Sequence, residues 1–142
     1  IIKIKLKIKR RFFMGKRKNK NYGFTLIEVI LVVAIITILS AIAVPQVGKY
    51  LNKANRSKVI GAVAELNNSS TSWSIDNGGD VPSNIQDIFT EHGNINKLGI
   101  GIDSSGNFKI GNITGKLEID NGEVYAKIDS NSRAFPGEEI RR

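Results

Sequence analysis

The sequence predicts an α+β fold: one long N-terminal helix, membrane-spanning in its first half, packs by its second half on a small antiparallel sheet. Three observations predict it. Residues 24–44 form an apolar run interrupted by one charge. Apolar residues then recur mostly at three- and four-residue steps as far as Trp73. From Lys97 the period falls to two, and the clearest repeat is centred on an Asn-Gly turn. Helical periodicity followed by strand periodicity is the pattern of α+β layering.

The apolar run, Phe24 to Val44, is 21 residues long and its one charge is Glu28. As a helix it reaches roughly 31 Å, enough to cross a bilayer core. Residues 1–23 carry ten Lys/Arg and no acid, which predicts that this flank stays in the cytoplasm and the C-terminal side is exported. A plain anchor accounts for everything except Glu28. A carboxylate inside hydrocarbon costs about 2.5 kcal/mol or more, so an acid here points to function and needs a named partner. A cut between Gly23 and Phe24 would create that partner as a new amine.

The residues around this bond are Lys18-Asn-Lys-Asn-Tyr-Gly23 and Phe24-Thr25-Leu26-Ile27-Glu28-Val29. With the basic leader and the apolar span, they resemble the cleavage site of type IV prepilins and related pseudopilins, over about residues 16–56. The resemblance implies cleavage after Gly23 by a membrane-embedded prepilin peptidase, which also N-methylates Phe24. Glu28, fifth in the mature chain, would then pair with the Phe24 amine of a neighbouring subunit. It further implies a homopolymer of pilin subunits, an assembly platform and an ATPase. The precursor would sit in the bacterial cytoplasmic membrane with its N-terminus inside, and the mature chain in an extracellular pilus. Because the cut precedes the apolar run, the run is retained as an assembly element, unlike that of a secretory signal peptide.

The formal charge of +8 suggests nucleic acid, but its distribution argues against that partner. Residues 24–142 carry 11 Lys/Arg against 13 Asp/Glu, a net of −2, so the basic character belongs to the leader. With no cysteines, the exported part has no disulfide to hold its C-terminus.

Taken in order, residues 1–13 alternate apolar and basic. The only methionine is Met14, the expected natural start, with residues 1–13 an upstream extension. Residues 1–23 are the leader, 24–45 the assembly helix, and 46–76 its amphipathic continuation; 77–142 form the globular part. Pro45 is expected to kink the helix or melt one turn, not to end it, because apolar periodicity resumes. Val47, Tyr50, Leu51, Ala54, Val59, Ala62, Val63, Leu66 and Trp73 form the face that the sheet should cover, with Trp73 in that interface. Asn67–Ser72 is poor helix material and should fray. Asn77-Gly-Gly-Asp80 stops the helix, and Ser83 to Gln86 reads as a capping box for a short helix over 83–91.

In the last third, Leu98, Ile100 and Ile102 alternate, Ser104-Ser-Gly106 turns, and Asn107–Ile110 follows. Lys116–Asp120 and Glu123–Asp129 flank Asn121-Gly122, a type I′ hairpin signal. That register sets Ile119 opposite Val124 and Leu117 opposite Ala126, in a sheet of three or four strands. The tail from Ser130 reads as polar and loose.

His92, the only histidine, reads as a solvent-facing loop residue, and no metal or cofactor is expected. Asp103–Asn107 and Asp120–Glu123 are oxygen-rich but lack the acidic spacing of a calcium loop, and Asp or Asn beside Gly is ordinary turn chemistry. No Ser/His/Asp set, nucleophilic cysteine or phosphate loop is apparent, so catalytic residues are not expected. The functional reading is a structural pilin; the alternative is a pseudopilin of a type II secretion or competence DNA-uptake system. A membrane-anchored binding domain, for which Glu28 would be dispensable, is the contrasting class.

Overall fold

The computed structural model describes residues 23–142. Residues 1–22, including the alternating segment and Met14, lie outside the described residues.

Helix α1 runs from Leu26 to Asp76. The chain divides within it, between Ile38 and Leu39, into two units. In the first, every large apolar side chain from Phe24 to Ile38 is between 49% and 90% exposed. The polar Thr37 returns its hydroxyl to the Val33 carbonyl at 2.8 Å, which removes the cost of an unpaired hydroxyl in an apolar stretch.

In the second unit α1 is helical through Pro45, so no turn melts there. Proline's fixed φ is a helical value, and the loss is one hydrogen bond to the Ala41 carbonyl. The face of α1 that enters the core starts later than the periodicity predicts. Val59, Ala62, Val63 and Leu66 are buried, whereas Val47, Tyr50 and Leu51 stay more than half exposed. The face also ends differently. Trp73 is only half-buried and outside the core, while Asn67 and Ser70 are buried. The Asn67–Ser72 stretch does not fray, because its polar side chains find partners. Asn67 clamps the hairpin from below: Nδ2 donates to the Val124 carbonyl at 2.8 Å and Oδ1 accepts the Val124 N–H at 2.9 Å. Ser70 Oγ donates to the Gly122 carbonyl.

Helix α2 (Ile85–His92) buries Ile85, Ile88 and Phe89. The Ser83–Gln86 capping box does not form. Asn84 is the N-cap, with no side-chain cap bond, and Gln86 Nε2 instead donates to the Ser104 carbonyl at 3.2 Å. Residues 95–98 make one 3-10 turn, and Ile102 forms only an isolated bridge to Phe108, so the predicted strand over 98–102 is absent. Its alternation survives as burial: Leu98, Ile100 and Ile102 all enter the core.

Strands β1 (Asn107–Ile110), β2 (Ile113–Asp120), β3 (Glu123–Ile128) and β4 (Glu139–Ile140) form an antiparallel sheet in the order β1-β2-β3-β4. The β2–β3 register pairs Leu117 with Ala126 and Ile119 with Val124, as the two-residue turn dictates. Asn121 and Gly122 both take positive φ, 49° and 82°, the requirement of a type I′ turn. At Gly115 the constraint is space: a Cβ would stand 2.5 Å from the Lys127 carbonyl oxygen and 2.8 Å from the Phe108 ring.

The tail is not loose. Strand β4 pairs with β3, setting Ala126 opposite Ile140 and Lys127 opposite Glu139. Arg56 on α1 forms an ion pair with Glu138, and that bond raises the Arg56 pKa further. Arg141 lies 4.0 Å over the Tyr125 ring, with Glu139 at 3.5 Å and Glu123 at 3.8 Å. Without a disulfide, a two-residue strand and two arginines hold the C-terminal segment.

Candidate functional site

The helix starts at Leu26, which makes Thr25 its N-cap and Glu28 its third residue. Their side chains exchange bonds. Glu28 Oε2 accepts the Thr25 N–H at 2.7 Å and the Thr25 hydroxyl at 2.9 Å, while Thr25 Oγ1 accepts the Glu28 N–H at 3.3 Å. This is a capping box, which satisfies orphan donors of the first turn from both sides. Its signal is Thr25-x-x-Glu28 before an apolar run; the same pattern at Ser83–Gln86 forms no box. One consequence corrects an expectation. The Glu28 carboxylate is not an unsatisfied acid, because one of its oxygens already holds two donors. Its other oxygen, Oε1, accepts nothing among the described residues. A carboxylate offers about four acceptor sites, so Glu28 retains capacity for a further cation.

Phe24, directly before the cap, is 90% exposed. Among the described residues, a Cβ built on Gly23 meets nothing within 4 Å. Packing among the described residues therefore places no demand for glycine at 23. The helix that follows is apolar and long enough to cross a membrane. Exposed apolar surface on this scale marks a lipid or protein interface.

His92 closes α2 with its side chain 11% exposed, contrary to the solvent-facing expectation. Its Nδ1 lies 3.2 Å from Ser69 Oγ and its Nε2 3.6 Å from Glu65 Oε1. A Ser/His/acid trio that the sequence did not suggest is thus brought together, because α2 docks against α1. Its geometry is that of docking. The His92–Glu65 separation exceeds hydrogen-bond range, and the Ser69 hydroxyl also turns toward the Glu65 carbonyl, at 3.4 Å.

Asp103 is consumed by its own turn. It accepts from the N–H groups of Ser105 at 2.8 Å and Asn107 at 3.0 Å, and from Asn107 Nδ2 at 3.0 Å. The Asn107 side-chain bond is the largest influence holding its carboxyl below the usual range. Among the described residues no three His, Cys, Asp or Glu side chains converge as metal ligands.

A family model described as "Prokaryotic N-terminal methylation motif" matches residues 18–44, the stretch that contains the Thr25–Glu28 cap. Fimbrial protein Q of Moraxella bovis is 48% identical over 46 residues, 32% of this chain and 29% of that protein. Type IV major fimbrial protein FimA of Dichelobacter nodosus is 45% identical over 49 residues, 34% of this chain and 31% of its own. Type II secretion system core protein G of Klebsiella michiganensis is 33% identical over 61 residues, 43% of each chain. The chain thus spans about a third of the length of the fimbrial relatives it matches. No solved structure matches significantly. The chain thus shares its N-terminal motif with type IV fimbrial proteins and with a type II secretion core protein, and carries behind that motif a long helix followed by a four-stranded antiparallel sheet.

Proposed function

We propose that the chain is a structural pilin, processed after Gly23, N-methylated at Phe24 and polymerised through α1 into a type IV pilus. The observation that carries this reading is the match of residues 18–44 to the methylation motif, ending in an exposed apolar helix whose one acid is Glu28. In the precursor, the basic leader stays in the cytoplasm and the helix spans the membrane. The peptidase cuts between Gly23 and Phe24, leaving an amine about one helical turn from Glu28.

The capping box refines the assembly step. Thr25 keeps its N–H and hydroxyl after the cut, so the cap survives processing and holds Oε2. The neighbouring subunit's amine then adds to Oε1 in surroundings of low dielectric, where opposite charges attract strongly. Leaving such a charge unpaired is penalised more than pairing it is rewarded, so the contact mainly sets the stagger between subunits. Packing of many apolar helices extends this into an open helical polymer. An assembly platform and ATPase supply the work of extraction.

Gly23→Ala introduces no clash among the described residues, yet it should leave full-length precursor in the membrane; normal mature chain would contradict the scheme. Glu28→Gln should be cleaved normally but give disordered filaments or none. The second reading, a pseudopilin of a secretion or DNA-uptake system, is favoured by the likeness to the type II secretion core protein over a longer stretch. Antibody-labelled filaments on intact cells, seen by electron microscopy, support the pilus; antigen confined to the envelope supports the pseudopilin.

A further inference from the structure

A cavity of about 310 Å³ opens between the β1–β2 turn, the start of β2 and the loop that follows β3. We propose that it binds a small hydroxylated oxyanion of the phosphosugar class. Lys109 and Arg133 both line it, and no carboxylate does. Among the described residues neither cation has an acid partner, whereas Arg56 and Arg141 are each paired. Asp129, the acid nearest in sequence, lines a different depression together with Lys116 and Lys127. From Phe24 onward the chain has a net charge of −2, so two cations with no acid in one concavity run against the overall balance.

The walls are fixed to one another before any ligand arrives. Ser132 is buried, 7% exposed. Its Oγ contacts the Ala134 carbonyl at 2.8 Å and the Asn112 carbonyl at 3.1 Å, and accepts the Thr114 N–H at 3.3 Å. Asn112 is held from its other side, where its Nδ2 donates to Asn52 Oδ1 on α1 at 3.1 Å. This bracing lowers the ordering cost of binding. The guanidinium fork of Arg133 suits two oxygens of a phosphate, and Lys109 adds a compact charge. The remaining lining includes Asn131 and Thr114, whose amide and hydroxyl groups match sugar hydroxyls as donors and acceptors. The volume exceeds what a bare anion fills and sits at the lower end of small-molecule pockets.

The test requires neither processing nor assembly. The full chain in neutral detergent is titrated with glucose 6-phosphate, inorganic phosphate and glucose, following amide shifts of Gly111–Thr114 and Asn131–Arg133. Saturable binding of glucose 6-phosphate in the millimolar range or tighter is expected. Inorganic phosphate should bind more weakly, glucose more weakly still, and added salt should weaken the anions. The double variant Lys109→Gln/Arg133→Gln should bind at least about tenfold less tightly with its thermal midpoint retained. Absence of shifts at about 10 mM ligand, or an undiminished affinity in the double variant, overturns the site. Phosphate binding as tightly as glucose 6-phosphate overturns the sugar assignment, and glucose binding as tightly overturns the anionic one.

Discussion

Asn67 stands where the apolar face of α1 would otherwise continue, and it replaces packing with two bonds to one hairpin residue. Asn67→Ala would strand both the N–H and the carbonyl of the buried Val124, at a cost of about 2 kcal/mol. Thermal unfolding of the full chain in detergent should show a clear fall in midpoint; an unchanged midpoint would deny the clamp its role. Periodicity could not reveal this, because a buried asparagine scores as a break in an apolar face unless its partners are known. Trp73 lies outside the core for the same reason: the polar clamp ends the contact before the helix reaches it. Asp103 gives a pH dependence of definite sign. Its folded pKa lies below the ordinary value, so its contribution is complete above about pH 4 and fades as pH falls through the lowered pKa. The protection of the Asn107 amide, its exchange rate taken relative to the intrinsic rate at each pH, should therefore fall on acidification toward about pH 2, and Asn107→Ala should bring the Asp103 titration back up toward the usual range.

Strand β4 is two residues long and carries the sheet's last pairing. Truncation after Gly137 removes this strand and Arg141, leaving the β3 edge unpaired. Hydrogen exchange should then rise at Ala126–Ile128 while the β2 partners of β1 remain protected; uniform protection would show that β4 contributes nothing to the edge. The hairpin was legible to the residue, because Asn-Gly imposes a register and alternation fixes the faces. The long helix was legible as well, through Pro45. The tail was not. Its pairing depends on contacts between residues far apart in sequence, Arg56 with Glu138 and Arg141 with Tyr125. The 98–102 stretch kept its alternating burial without becoming a strand, since alternation reports which side chains face the core and not whether a neighbour supplies a ladder.

For the whole molecule, the part most legible in the sequence is also the candidate site: a basic leader, Gly23, and an apolar helix with one acid. What the apolar pattern does not reveal is the local bonding of that acid. The structure gives Glu28 a local partner in Thr25, so one helical turn both caps the helix and leaves an oxygen open. Thr25→Val should accordingly be processed as usual but assemble less regularly, since Glu28 loses the hydroxyl that orients it. The most direct test of the central claim is the N-terminal sequence and mass of the protein recovered from the cell exterior. The account predicts a chain beginning at N-methylated Phe24; an exterior protein that retains the lysine-rich segment ahead of Phe24 would contradict it.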